Sequence, residues 1–115
     1  MPWKVIVKRQ FSWAHYLTDY HGTPEPIHGH TWTVEVHLRA DHVDKGGMGF
    51  DFVEVDNFIR EILPDYTLLN QLLDFSPSAE NVAQWVYKRV KKRYPSLSKV
   101  VVWEKENCGA EYWEE

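Results

Sequence analysis

The stretch Pro24-Glu25-Pro26-Ile27-His28-Gly29-His30 holds two histidines one residue apart. It runs into Trp32, Val34, Val36 and Leu38 at alternating positions, the period of a half-buried β-strand. Counted back from Trp32, His30 and His28 fall on the apolar face. A third histidine has the same phase. Trp3, Val5, Val7, Phe11 and Trp13 alternate with Lys4, Lys8, Gln10 and Ser12, and His15 ends the apolar series. If the two strands pair antiparallel, three imidazoles meet at one end. Three protein ligands and an open fourth position describe a catalytic zinc site rather than a structural one. A lone His-x-His is more simply two hydrogen-bonded core histidines. His15 in phase turns the balance toward Zn2+ held by His15, His28 and His30.

The 115 residues suit one domain spanning 1–115, and a composition 43% hydrophobic is enough for a core. A net charge of −4 gives no broad basic surface, so a nucleic-acid partner is not expected. No apolar run reaches membrane-spanning length, so neither is a membrane. Met1-Pro2-Trp3-Lys4 lacks the apolar region of a secretory signal, and the single Cys108 cannot form an internal disulfide. Both point to a cytoplasmic setting.

These residues need a scaffold. Residues 3–15 read as a strand, and 16–27 as a loop broken by Asp19, Gly22, Pro24 and Pro26. Residues 30–40 read as a second strand and 41–49 as a glycine-bearing connection. Asp51 caps a helix with Phe52, Val55, Phe58, Ile59 and Ile62 on one face, ending before Pro64. Asp65 to Asn70 reads as a short irregular piece. Ser76-Pro77 opens a second helix whose face is traced by Val82, Trp85, Val86, Arg89 and Val90. Lys88, Lys91, Lys92 and Arg93 gather near its C-terminal end, where the macrodipole favours cations, and Pro95 stops it. Lys99 to Glu106 reads as a third strand, Asn107-Cys108-Gly109 as a turn and Ala110 to Trp113 as a fourth strand. The order β-β-α-α-β-β predicts an α+β fold: a four-stranded antiparallel sheet with two helices on one face. The uncovered face and edges of that sheet predict self-association.

Several motifs, in order from about Phe11 to Tyr112, resemble the 6-pyruvoyl-tetrahydropterin synthase family, which includes 6-carboxy-tetrahydropterin synthase. Phe-Ser-Trp-Ala-His at 11–15 is similar to the family's first zinc-ligand segment, and His28-Gly29-His30 to its HGH motif. Gly47-Met48-Gly49-Phe50-Asp51-Phe52 resembles the glycine-rich entry to its first helix. Leu69-Asn70 and Ser76-Pro77-Ser78-Ala79-Glu80-Asn81 resemble its LN and PTAEN segments. Glu104, eight residues before Tyr112, stands where the family keeps a pterin-anchoring glutamate. The resemblance implies a T-fold, commonly a homo-hexamer of two trimers with sites between subunits. It implies zinc, and a dihydropterin substrate derived from 7,8-dihydroneopterin triphosphate.

Two positions depart from the family. Its nucleophile-like cysteine stands four residues before the first histidine of HGH; here that position is Pro24. Its Asp-His pair before LN is here Asp65-Tyr66. Glu25, beside the missing cysteine, resembles a subgroup with glutamate in its place, associated with shortening the pterin side chain to 6-hydroxymethyl-dihydropterin. Such an aldolase-like cleavage needs a base for a hydroxyl proton and an acid to return a proton to carbon. Glu25 is the candidate base, against the simpler reading of an exposed loop carboxylate. Asp65 is a candidate helper through Tyr66, against a turn residue after Pro64. The resemblance makes Glu104 the acceptor for the pterin edge, which offers two nearly parallel donors. Ser78 is a further candidate for the ring, although a place in the helix start explains it more simply. His37 lies on the opposite strand face and His21 and His42 in loops, so all three are excluded from the metal set. The leading expectation is a zinc-dependent lyase of the dihydroneopterin side chain. The alternatives are a 6-pyruvoyl- or 6-carboxy-tetrahydropterin synthase, or a catalytically silent pterin- or zinc-binding oligomer.

Overall fold

The two alternating stretches pair with each other. In a computed structural model that describes residues 2–115, β1 (Trp3–His15) and β2 (His28–Ala40) form one antiparallel ladder. Trp3 stands opposite Ala40 at one end and His15 opposite His28 at the other. Val7, Phe11 and Trp13 of β1 and Trp32, Val34, Val36 and Leu38 of β2 are buried on the shared inner face. Each such side chain contributes about 1.5–3 kcal/mol of transfer free energy. Arg9 is the one cation on that face of β1, and its guanidinium is met by both oxygens of Asp56, at 3.0 and 2.9 Å.

The helices supply the other layer. Asp51 caps α1 (Phe52–Ile62) by accepting from the Val53 amide at 2.9 Å, and Val55 and Ile59 are buried against the sheet. After the short β3 (Thr67–Leu68) and α2 (Leu69–Leu72), Ser78 caps α3 (Ala79–Arg93), accepting from Asn81 N–H at 3.1 Å. β4 (Leu97–Lys105) and β5 (Cys108–Tyr112) close the chain as a hairpin. The strand order is β3-β1-β2-β4-β5, antiparallel except where β3 runs parallel to β1. α1 packs on β1 and α3 lies across β4 and β5. This is the α+β layering predicted above. Among the described residues no helix is long and apolar enough to cross a membrane.

Several details differ from the sequence reading, among them the starts of β2 at His28 rather than residue 30 and of β4 at Leu97 rather than Lys99. The sheet has five strands rather than four, because Thr67 and Leu68 add to β1 opposite Trp13 and Ala14. A two-residue strand and the single turn of α2 are too short to leave a periodicity. The second long helix starts two residues later, with Ser78 rather than Ser76 as its cap. Its buried stripe is Val82, Ala83, Val86, Tyr87 and Val90; Trp85 is half-buried and carries the exposed Arg89 guanidinium 4.8 Å over its ring. Finally, β5 begins at Cys108, so the hairpin turn is tighter than expected. Gly109 allows this: a Cβ there would lie 2.7 Å from both the Trp103 ring and the Val102 carbonyl.

The outer face carries one ordered polar cluster. Glu35 accepts from His37 Nε2 at 3.0 Å and from Trp103 Nε1 at 2.7 Å. Burial pushes the Glu35 carboxyl up, but the His37 and Trp103 hydrogen bonds and the positive charges of His37 and Lys8 outweigh it, so the net shift is downward. A depressed carboxyl stabilises the fold above its unfolded value and loses that contribution as pH falls through the folded one. Glu35→Gln removes the charge while keeping an acceptor. It should cost about 1 kcal/mol at neutral pH, and the deficit should close below the ordinary carboxylate value of 4.5. Denaturant melts on both sides of that value check this. An equal deficit on both sides would show that the charge is not what Glu35 contributes.

Candidate active site

The β1–β2 register places His15 and His28 directly opposite each other on the inner face. Their Nε2 atoms are 3.0 Å apart. His15 is fully buried, with the Trp32 ring edge-on at 4.8 Å between centroids. Each imidazole is held from behind. His15 Nδ1 is 2.7 Å from the Pro77 carbonyl oxygen and His28 Nδ1 is 3.0 Å from that of Pro26. A carbonyl only accepts, so both Nδ1 atoms carry the proton, and a neutral ring then presents a bare Nε2 lone pair. Glu104 Oε1 adds a third acceptor, 2.9 Å from His15 Nε2. Three acceptors converging with no donor between them repel unless a cation joins them. A proton on one ring would serve. The donor set itself, two Nε2 atoms with tethered Nδ1–H groups and a carboxylate, is one that zinc accepts.

Glu104 reaches this point through an irregularity. Along β4, Val100 and Val102 are buried on the inner face, opposite Val36 and Val34. Glu104 continues that phase. The β4–β5 register shifts between Trp103 and Lys105, so Glu104 sits at a bulge, a device that re-aims side chains at sheet ends. The third converging donor is therefore Glu104 rather than the expected His30. Residues two apart on one strand face are separated by about 6.6 Å, and the His30 ring is turned away from the His15–His28 pair here. His30 instead stands beside His28, ring centroids 5.3 Å apart, and lines a cleft of about 520 Å³ with Ser12, Gly29, Thr31 and Tyr66.

Glu25 is no exposed loop carboxylate. Its side chain is 17% exposed, its Oε1 accepts from Leu17 N–H at 2.8 Å, and the same oxygen lies 4.0 Å from His28 Nε2. The loop between the strands is itself a small hairpin. His21 and Gly22 both have positive φ between the paired Tyr20 and Thr23, as a two-residue hairpin turn requires.

Asp65 and Ser78 are engaged by the backbone. Asp65 Oδ1 accepts from Ser12 N–H at 2.7 Å and Tyr66 N–H at 2.9 Å, which ties the turn after α1 to the edge of β1. No hydrogen bond or ion pair joins it to Glu25 or to His15, His28 or His30 among the described residues. Tyr66 is 86% exposed with φ 51°, a rare conformation for an aromatic residue. Ser78 uses its oxygen as the α3 cap, which fixes the turn whose Pro77 carbonyl holds His15. Cys108 is exposed, and its Sγ donates to Asn107 Oδ1 at 3.5 Å. Sequence reasoning missed the Pro77 and Pro26 carbonyls and the Leu17 amide, since main-chain groups leave no signature in side-chain pattern. Asn70 was visible only as half of the Leu69-Asn70 pair.

Residues 4–115 match the family described as 6-pyruvoyl tetrahydropterin synthase. The chain is 30% identical to the dihydroneopterin monophosphate aldolase of Pyrococcus furiosus, covering 96% of this chain and 97% of that protein. It is 27% identical to the 6-carboxy-5,6,7,8-tetrahydropterin synthase of a Synechocystis species, covering 96% and 93% respectively. In three dimensions it superposes on the 6-pyruvoyl tetrahydropterin synthase of Caenorhabditis elegans with a TM-score of 0.83 at 24% identity, over 100% of this chain and 98% of that one. The fold is the T-fold anticipated from the motifs, and the chain belongs to the 6-pyruvoyl tetrahydropterin synthase family.

Proposed function

We propose that this chain is a zinc-dependent lyase that shortens the side chain of 7,8-dihydroneopterin, free or phosphorylated, to give 6-hydroxymethyl-dihydropterin. The observation that carries the reading is the Glu25 carboxylate, held on Leu17 N–H and 4.0 Å from His28 Nε2, where the family's cysteine is absent. Similarity over nearly the whole chain to a dihydroneopterin monophosphate aldolase supports it. His15 and His28, with His30 turned in from the cleft beside His28, would hold zinc, and Glu104, whose Oε1 lies 2.9 Å from His15 Nε2, would accept the two donors of the pterin edge. Bound zinc supplies a Lewis acid for the substrate hydroxyls.

The remaining chemistry belongs to the protein. Glu25 takes the proton of the hydroxyl on the second side-chain carbon. The bond between the first and second carbons breaks, its electron pair passes into the ring imine, and the second carbon leaves as an aldehyde. A proton returned to the first carbon completes a redox-neutral step. Asp65 takes part by holding Tyr66 at the mouth of the cleft. The open edge of β1 beyond its two paired residues, and the sheet's bare outer face, support assembly into a homo-oligomer, a hexamer by family likeness. The exposed, unpaired Cys108 is compatible with a cytoplasmic setting.

Four outcomes are expected. Zinc-loaded protein given 7,8-dihydroneopterin, its monophosphate or its triphosphate should release 6-hydroxymethyl-dihydropterin, identified by mass. Glu25→Gln should keep zinc and pterin binding and lose turnover by roughly a hundredfold or more, the usual size of a general-base contribution. Full turnover by that variant would remove Glu25 from the chemistry, and a pyruvoyl or carboxy product would replace the reaction proposed. In metal analysis, His28→Ala should lose zinc, whereas Glu104→Gln should retain it and bind pterin more weakly. Zinc loss in Glu104→Gln would make Glu104 a ligand instead. Sedimentation at micromolar protein should show a species well above the 13.7 kDa of one chain; a monomer alone would contradict the assembly.

A further inference from the structure

Past His15 the chain leaves the β1–β2 ladder, and its main-chain groups are taken up by side chains instead. Asn70 Oδ1 accepts from Tyr16 N–H and Asn70 Nδ2 donates to the Tyr16 carbonyl, both at 2.9 Å. One residue on, Glu25 Oε1 accepts from Leu17 N–H at 2.8 Å and Glu25 N–H donates to the Leu17 carbonyl at 3.1 Å. Asn70 and Glu25 therefore grip adjacent residues of one strip of backbone, from opposite sides in sequence. A primary amide carries a donor and an acceptor side by side, which matches the N–H and C=O of a single residue. Asn70 belongs to α2, next to the fully buried Leu69, so its end of the grip is fixed by the core.

We propose that Asn70 is a positioning residue for the reaction: it holds the Tyr16–Leu17 backbone on which the Glu25 carboxylate is aimed toward His28. The inference rests on the reading of Glu25 as the base. The two histidine rings do not depend on this grip, because His15 is tethered to the Pro77 carbonyl and His28 to that of Pro26. Loss of Asn70 releases Tyr16 and lets Leu17 and Glu25 shift as one unit. A misplacement on the order of 1 Å at a reacting group costs roughly a hundredfold in rate. Asn70 touches neither the rings nor Glu25 in the hydrogen bonds above, so its effect should fall on turnover rather than on metal or substrate binding.

The test is a double-mutant cycle on the zinc-loaded full chain turning over 7,8-dihydroneopterin, with Asn70→Ala, Glu25→Gln and both. Asn70→Ala should lower kcat by about a hundredfold with KM and zinc content unchanged. In the Glu25→Gln background it should cost nothing more, because residues acting through one group are not additive. Amide exchange adds a readout independent of activity. Leu17 should exchange faster in Asn70→Ala while the buried strand residues Val34 and Val36 stay protected. A wild-type kcat in Asn70→Ala, or an equal loss in both backgrounds, overturns the proposal. Full turnover by Glu25→Gln alone would instead strike the reading of Glu25 as base, and Leu17 exchange would then judge the grip by itself. Asn70→Asp, which keeps the acceptor for Tyr16 N–H and loses the donor, is carried through the same cycle in case the alanine variant does not fold.

Discussion

The antiparallel register of β1 against β2 sets His15 opposite His28, and the candidate site is built outward from that pair. A slip of one residue would carry every side chain of β1 to the other face of the sheet. It would put Ala14 where His15 stands and would expose Phe11 and Trp13, both buried. The same apolar contacts that stabilise the fold therefore hold the two imidazoles together, edge to face with centroids 4.6 Å apart. Core and site share one register, so the sheet cannot relax at the site end without unpacking the aromatic cluster of Phe11, Trp13 and Trp32.

A second segment braces that end. Between Pro64 and Pro77 the chain runs alongside the last residues of β1 and the loop after it. The Pro64 carbonyl accepts from Trp13 Nε1 at 2.7 Å, Asp65 accepts from Ser12 N–H, Asn70 grips Tyr16, Ser76 Oγ accepts from Thr18 N–H at 3.1 Å and the Pro77 carbonyl holds His15. A strand that ends inside a domain leaves main-chain groups needing partners. Here those partners come from one stretch of chain, so satisfying them also fixes the orientation of His15 and the path of the loop bearing Glu25. The prolines at 64 and 77 suit this role: each lacks an N–H and presents a carbonyl on a backbone of restricted φ.

The chemistry of the site follows from which groups are left over. His15 and His28 have their Nδ1 atoms committed and their Nε2 atoms facing inward. Glu104 is aimed at them by the bulge in the β4–β5 hairpin, whose closeness depends on the missing side chain of Gly109. Glu25 stands on the loop side, near His28. The imidazole pair is thus flanked by one carboxylate on the sheet and another on the loop. A cysteine at the loop position would offer a thiol of higher pKa and different geometry. On the proposed reading of Glu25, a glutamate beside the missing cysteine would be a change of base within one scaffold.

Much of this was legible in the residue pattern. The alternation from Trp3 to His15 and from His28 to Leu38 marked both long strands and the face on which the histidines lie, because a strand's side chains alternate by geometry wherever it pairs. The Asp51 cap and the α1 stripe were equally local. The motif order from Phe11 to Tyr112 identified the family. What the pattern did not contain was everything made by main-chain groups or by neighbours distant in sequence. The strand at Thr67–Leu68, the true stripe of α3 and the bulge at Glu104 all depend on what packs opposite. So do the choice of Glu104 over His30 as the third converging donor and the capture of Glu25 by Leu17 N–H. Periodicity determines which face a side chain shares; only the assembled sheet, with its register shifts and the brace from residues 64–77, decides which side chains on that face come within bonding distance.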